Sequence, residues 1–423
     1  MRHIISQPTK QITGVFCAMV LLAQAGFAQP VAHENQEQLV LTLEQARQRT
    51  LERDTRLKQA KLFIQQLQID GQLAGKWNNP EIELKVENLN GGSGEGDLER
   101  ETEFSWSQEL LLPNRRKARS SEAEAAETHA ETAFQSLRSQ VLVETTELVL
   151  DLVYYQERVH HHLQMEAVLR EMGRRMSDRV QAGKIAATEL NRLQLEIANH
   201  EMELARDRAA QMQAKRQLKA IWQSTSDTDI VIDWDQSERK RIEEEASKPL
   251  NLIKNPSLNE VRTKVDWANR QLDLVTNERK RTWRAIAGIK RFEASGDTGV
   301  QLGVATELPL FRRGREETRR SMLFRDQVEH QAQAMRSEVN QAFLGLRQKM
   351  GQAKAVLVQL EDKLIPLARK DLQSLEASYD QGRHDLRDVL ERHRSVHNLE
   401  LERLEWMRDL AKSYWNLKAL SGG

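Results

Sequence analysis

Two periodicities alternate along this chain. From Leu43 to about Lys76 apolar residues recur at helical spacing (Leu43, Ala46, Thr50, Leu57, Ala60, Ile64, Leu67), with Thr42 placed as a candidate N-cap. The period then shortens to two. Ile82, Leu84 and Val86 alternate with Glu81, Glu83, Lys85 and Glu87, and beyond a Gly-rich break at 90–96, Phe104, Trp106 and Leu110 alternate with Glu103, Ser105, Ser107 and Glu109. Such alternation predicts strands with one apolar and one polar face. Pro113 ends the second strand, and residues 115–181 contain no proline, which predicts one nearly continuous helix on the order of 100 Å long. Gly183 marks a turn, and a second helix runs back from about Thr188 to Trp222, with Leu190, Leu193, Ile197 and Leu204 on one stripe.

The cycle then restarts, offset by about 200 residues. Residues 223–256, with Ser224, Thr225, Ser226, Pro249 and Pro256, read as a linker in which Ile230, Ile232 and Trp234 hint at one short strand. Pro256 to about Arg281 reads as helix, 285–293 as a weak strand, Gly296 to Gly299 as a turn, and Val300, Leu302, Val304 and Leu308 alternate again. A helix from about Arg315 to Tyr379 leads to a turn at Gly382, and Leu386 to Leu420 returns; Pro366 should kink the outbound arm. Counted without a gap from the two turns, Glu201 falls on Glu400, Leu218 on Leu417, Lys219 on Lys418 and Ala220 on Ala419. The expected organisation is a leader (1–28), a first unit (29–222), a linker or equatorial segment (223–256) and a second unit (257–423).

Composition narrows the options. Arg2 and Lys10, the apolar run Val15 to Ala23, and Gly26-Phe27-Ala28 fit a secretory signal cleaved before Gln29. Phe16 beside Cys17 argues against a lipidated cysteine, and because Cys17 is the only cysteine, the mature chain is expected to hold no disulfide or thiolate site. Lys plus Arg and Asp plus Glu are 63 each, charged residues make up 30% and aromatics 5%, which suits long solvated helices and gives no basic footprint for nucleic acid. No later stretch approaches the roughly 18 apolar residues of a membrane helix. Membrane entry would therefore be by strands, whose apolar sides meet lipid and whose edges must all be paired. Four strands cannot close a barrel when about eight is the smallest known, so several copies must share one. Lys290 and Arg291, side by side in the third strand, require that one point outward or lie at the membrane boundary.

With these residues in view the chain is similar to the TolC-type outer-membrane efflux family, and within it to the CzcC-like branch that serves metal-exporting pumps. The resemblance rests on Leu-Thr-Leu-Glu-Gln-Ala at 41–46, Asn79-Pro80, Gln108-Glu109-Leu110-Leu111-Leu112-Pro113 with Arg115-Arg116, and Leu308-Pro309-Leu310-Phe311-Arg312-Arg313. Its most specific part is Tyr379-Asp380-Gln381-Gly382 followed by Asp388-Val389-Leu390, with Val180-Gln181-Ala182-Gly183 and Glu189-Leu190 as the first-half copy. The resemblance implies a mainly α protein with a membrane β-barrel: a homotrimer whose twelve-stranded barrel, four strands per protomer, continues as an α-helical periplasmic tunnel. It implies a periplasmic adaptor docking at Gly183, Lys184, Ile185, Gly382 and Arg383, an inner-membrane RND-type pump, and outer-membrane lipid against Ile82, Leu84, Val86, Phe104, Trp106, Val300, Leu302 and Val304. Tyr379, His384, Asp388 and Glu391 fall at the periplasmic aperture, where three copies of each carboxylate would focus a negative field on cations. His384 stands where the best-known members carry Arg, which makes a latch there pH-dependent or absent. The ordinary alternative for Asp388 and Glu391 is a solvated helix face.

The run His160-His161-His162 cannot place more than two rings on one face, so solvated or packing roles are expected, and His393 and His397, four apart, lack the Glu and third ligand of a hydrolytic zinc site. The two Arg pairs read as cations at the head-group boundary. No nucleophile-and-base set, phosphate loop or dinucleotide fingerprint occurs, so neither an enzyme, a cofactor nor a metal centre is expected. The leading reading is a passive export conduit; divalent metal cations as its cargo are implied only by the CzcC-like resemblance, since drugs or secreted proteins use conduits of the same shape. Its rivals are a soluble periplasmic coiled-coil scaffold or adaptor, and a metal buffer using its histidines.

Overall fold

The computed structural model describes residues 38–89, 100–183, 185–225, 228–234, 236–245, 252–293, 295–308 and 314–422. The expected leader with Cys17, the Gly-rich break, Lys184, Pro249 and the Leu-Phe-Arg-Arg run at 310–313 lie outside these residues.

Strand β1 (Gln38–Leu41) leads into α1 (Leu43–Arg53), which Thr42 opens with a full capping box: its Oγ1 accepts from Gln45 N while Gln45 Oε1 accepts from Thr42 N. The single helix expected to Lys76 is in fact two. Asp54 leaves helical geometry (φ −59°, ψ 124°), and its carboxylate accepts from the backbone of Arg56 and Leu57, so it caps α2 (Thr55–Ala74). Asp side chains compete for backbone N–H groups in this way, which a count of apolar spacing does not register.

Strands β2 (Glu81–Glu87) and β3 (Glu101–Leu110) form the first hairpin, followed by the 69-residue helix α3 (Pro113–Gln181) and its return α4 (Ala187–Ile221). The expected linker carries more structure than its composition suggests: β4 (Asp229–Ile232) pairs in parallel with β1, and α5 (Gln236–Glu245) follows. The unforeseen partner β1 carries the unbroken apolar run Leu39-Val40-Leu41, which shows no alternation for a period to register. Asn255 caps α6 (Pro256–Glu278), and its amide also donates to Leu420 O, tying the linker to the C-terminal end. The second hairpin is β5 (Trp283–Phe292) with β6 (Thr298–Thr306). The outbound arm α7 (Arg315–Gln359) passes through a five-residue π-helical stretch, Leu360–Leu364, into α8 (Ile365–Asp380), and α9 (Leu386–Leu420) returns. The π turn immediately precedes Pro366, where the missing N–H breaks the regular ladder, so the predicted interruption takes the form of a bulge.

Helix α3 is the spine, packing against α1, α2, α4, α6 and α9. The main core gathers where these helices cross the β1–β4 pair: Leu152, Leu218, Trp222, Ile230, Tyr414 and Leu417 are sealed there. One polar group sealed there is satisfied internally: Trp222 Nε1 donates to Thr50 Oγ1 (2.8 Å), which also accepts from Thr145 Oγ1 (3.1 Å). A smaller cluster of Met165, Leu169, Met176, Leu193 and Leu386 fills the bundle near the turns.

Candidate functional site: the sheet faces and the helix tips

The four strands form one antiparallel sheet in the order β2-β3-β5-β6. The register stacks Ile82, Trp106, Ala287 and Leu302 in one row, and Leu84, Phe104, Ile289 and Val300 in the next. Because side chains alternate faces, these rows and Val304 share one side of the sheet. That side is bare: Leu302 is 80% exposed, Val300 78% and Leu84 69%. An apolar face of this extent on a single chain marks a surface that another medium or molecule covers. Strands β3, β5 and β6, at 10, 10 and 9 residues, have the length of membrane strands.

The opposite side carries Glu81, Glu83, Lys85, Glu87, Glu101, Glu103, Arg284, Lys290 and Gln301, cross-linked by ion pairs. Arg284 reaches Glu81 at 2.9 Å, Lys85 pairs with Glu87, and Lys290 pairs with Glu101. The difficulty of Lys290 beside Arg291 is thereby resolved: Lys290 joins the charged side, and Arg291 stands in the row with Val86, Thr102 and Thr298 next to the loop end of the sheet. At the helix end, Leu110 pairs with Trp283 in a row closed by Thr306, which puts an indole where an interfacial belt would lie.

One expectation is corrected. Arg115 does not rest at a head-group boundary: it is buried, and its guanidinium donates to the carbonyls of Glu278 and Lys280 (both 2.7 Å) and to Thr282 Oγ1 (2.9 Å). It closes the C-terminal end of α6 and locks the two units where helices meet sheet. The forked donor set of Arg suits three acceptors at once, which position along the chain could not reveal. Arg116 is exposed, and Arg312 and Arg313 lie outside the described residues.

At the far end of the helices the two turns share one geometry. Gly183 (φ +67°) and Gly382 (φ +72°) adopt left-handed backbone, and their N–H groups donate to Val180 O and Tyr379 O, both at 2.9 Å. Nothing stands near either glycine where a Cβ would project, so backbone angle and not crowding selects the residue. Both return helices are 35 residues long and begin at the fourth residue past the glycine. Ile185 packs against the tip cluster, whereas Arg383 is exposed.

The aperture candidates fall in one neighbourhood but not in one network. Tyr379 OH accepts from Arg179 Nη1 (3.2 Å), whose guanidinium lies over the phenol ring, joining α3 to α8. His384 Nδ1 lies 3.6 Å from Asp388 Oδ2, separate from that pair. Asp388 and Glu391 are exposed on the first turns of α9, where a helix N-terminus favours carboxylates. Beside them a groove of about 500 Å³ is lined by Met172, Met176, Arg179, Tyr379 and His393.

The histidines separate. His160 bonds Gln164, and His393 Nε2 lies 2.9 Å from Glu376 Oε1. Of the triplet only His162 turns fully inward, where it meets His200 and His397 from two other helices. Each lies on its helix's buried stripe (His162 with Met165 and Leu169, His200 with Leu193 and Leu204, His397 with Leu404), which is the signal a reading for close metal spacings misses. Burial first, then the neighbouring His162 and His200 rings, push His397 down to about 3, so it is neutral at physiological pH. Asp207 touches His162 (3.0 Å) and Arg158 (2.7 Å); burial raises its pKa, and these two contacts together outweigh it and hold the carboxyl below its usual range.

Residues 46–223 match the family model described as outer membrane efflux protein. The cobalt-zinc-cadmium resistance protein CzcC of Cupriavidus metallidurans is 24% identical over 344 residues, 79% of this chain and 78% of that one. Among solved structures, CusC, studied for its folding and transmembrane channel formation, superposes with a TM-score of 0.76 at 14% identity, over 93% of this chain and 96% of that one. The outer membrane channel CmeC of Campylobacter jejuni superposes with a TM-score of 0.74 at 12% identity, over 96% and 94%.

Proposed function

We propose that this chain is an outer membrane efflux protein, the passive conduit of a tripartite exporter of divalent metal cations; the match of residues 46–223 to that family's model and the likeness to CzcC and CusC support the reading. Three copies share one barrel, each giving the four strands, and the helices continue it as a tunnel towards the periplasm. The tips at Gly183 and Gly382 receive a periplasmic adaptor, an inner-membrane pump of the RND class supplies the energy, and Asp388 and Glu391 ring the entrance.

The observation that carries this reading is the sheet. Its apolar side is bare over all four strands, its other side is charged, and its outer strands β2 and β6 have no further strand partner among the described residues. Lipid covers the first, water fills the space behind the second, and sister copies pair the edges; a soluble scaffold leaves all three unexplained. The cation cargo draws its support from the likeness to CzcC and from the acidic entrance.

Glu83→Cys combined with cysteines scanned along 299–305 should trap a covalent three-chain species from outer membranes. Protein that washes free in buffer as a monomer overturns the conduit. Deleting the gene should lower tolerance to zinc, cobalt or cadmium; loss of tolerance to dyes alone would retain the conduit and overturn its cargo.

A further inference from the structure

His162 of α3, His200 of α4 and His397 of α9 meet inside the bundle, 0%, 6% and 8% exposed. One ring nitrogen from each lies within 4.8 Å of the other two, and the ring centroids stand 4.8, 4.8 and 5.3 Å apart. A tetrahedral centre with metal–nitrogen bonds of about 2.1 Å puts bound imidazole centroids about 5 Å apart, so the rings already have the spacing of three ligands. Small side-chain rotations would bring the nitrogens to ligand distance.

Hydrogen bonding points the same way. His200 Nε2 lies 2.9 Å from the carbonyl of His162, which can only accept, so the proton is on Nε2 and the Nδ1 lone pair is free. His162 Nε2 faces the Asp207 carboxylate, itself anchored by Arg158. A carboxylate beside a histidine is the arrangement that orients such a ligand and raises its basicity. His162 Nδ1 and His397 Nε2 are buried with no hydrogen-bond partner. Unpaired imidazole nitrogens in a packed interior are destabilising, and a cation would remove that cost.

We propose that His162, His200 and His397 form a resident binding site for one borderline divalent cation (Zn²⁺, Co²⁺, Ni²⁺ or Cu²⁺), which staples the first helical hairpin to the returning helix of the second. Three neutral imidazoles favour these ions over Mg²⁺ and Ca²⁺, which take oxygen ligands. Asp207 offsets part of the charge. The site lies on α3 between the main core and the tip cluster, sealed within helix packing, so its ion is held in place and is not cargo in transit. The inference stands on this geometry and not on the export reading.

The full chain, purified in detergent and stripped with a chelator, is titrated with Zn²⁺ alone. One Zn²⁺ per chain is expected, with a higher thermal midpoint when loaded, since binding to the folded state alone stabilises it. His162→Gln, His200→Gln and His397→Gln should each weaken binding at least tenfold, while His393→Gln, whose ring pairs with Glu376 outside the cluster, should leave it unchanged. Wild-type protein that retains no Zn²⁺, as when a buried water occupies the cluster, overturns the proposal, as does equal binding by wild type and all three variants. Zinc-edge X-ray absorption on the unmodified protein needs no variant to fold: three imidazole nitrogens at about 2.0 Å are expected, and an all-oxygen shell overturns the site.

Discussion

Leu218 and Leu302 are the same side chain with opposite fates. In the helical body Leu218 is wholly sealed among Trp222, Tyr414 and Leu417; in the sheet Leu302 stands in the open beside Val300 and Val304. The body completes its core within one chain, with capped helices, a buried Trp222–Thr50–Thr145 hydrogen-bond chain and Arg115 closing the end of α6. The sheet completes nothing by itself: one side lacks a cover and both edges lack a strand among the described residues. On the proposed reading, the difference teaches that the two regions answer to different solvents: apolar burial drives the body in water, whereas backbone pairing and a lipid-facing surface drive the sheet.

Substitutions should separate the regions, beginning with the body. Trp222→Ala removes the largest sealed side chain and leaves Thr50 without its indole donor, so a loss of about 3–5 kcal/mol is expected in chemical unfolding followed by helical signal. Leu302→Arg should cost about 2–4 kcal/mol in a bilayer and show as reduced recovery of assembled protein from outer membranes. An unchanged yield would contradict lipid contact, because an arginine on a water-facing strand costs almost nothing. Asp54→Ala, which removes the cap between α1 and α2, should cost about 1 kcal/mol.

The same carboxylate supplies the pH test. Burial raises the Asp54 pKa, but Arg56 and the backbone N–H of Leu57 outweigh it and hold the group below the ordinary range. Its contribution is therefore complete above about pH 4 and fades as pH falls through the lowered value. Wild type should lose more stability than Asp54→Asn on acidification, measured by thermal unfolding across that window. The smallest effect on folding belongs to Asp388→Ala with Glu391→Ala, both exposed: thermal stability should hold while cation conductance or block of the reconstituted channel changes. Unaltered conductance would remove the acidic ring from the mechanism.

Similar local rules do not give similar surroundings. Gly183 and Gly382 make the same turn, and Leu218 and Leu417 are both sealed, yet Glu201 is exposed beside Arg170 whereas Glu400 is buried between Arg369 and Arg403. A shared register carries backbone geometry and apolar stripes from one half to the other. Charge partners come from whichever helix lies alongside, and those neighbours differ.

Much of what neighbours along the chain set was legible in advance: the four strands, the long outbound helices, the glycine turns, the Thr42 cap and the interruption at Pro366, though not the break at Asp54, where a side chain and not a period ends the helix. Each follows from periods of 2 and 3.6 or from one residue's backbone limits, which act within a few positions. What needed the folded chain were contacts across long separations. The parallel pairing of β1 with β4, the seat of Arg115 on α6 and the meeting of His162, His200 and His397 join residues tens to hundreds of positions apart, where no local period signals a partner.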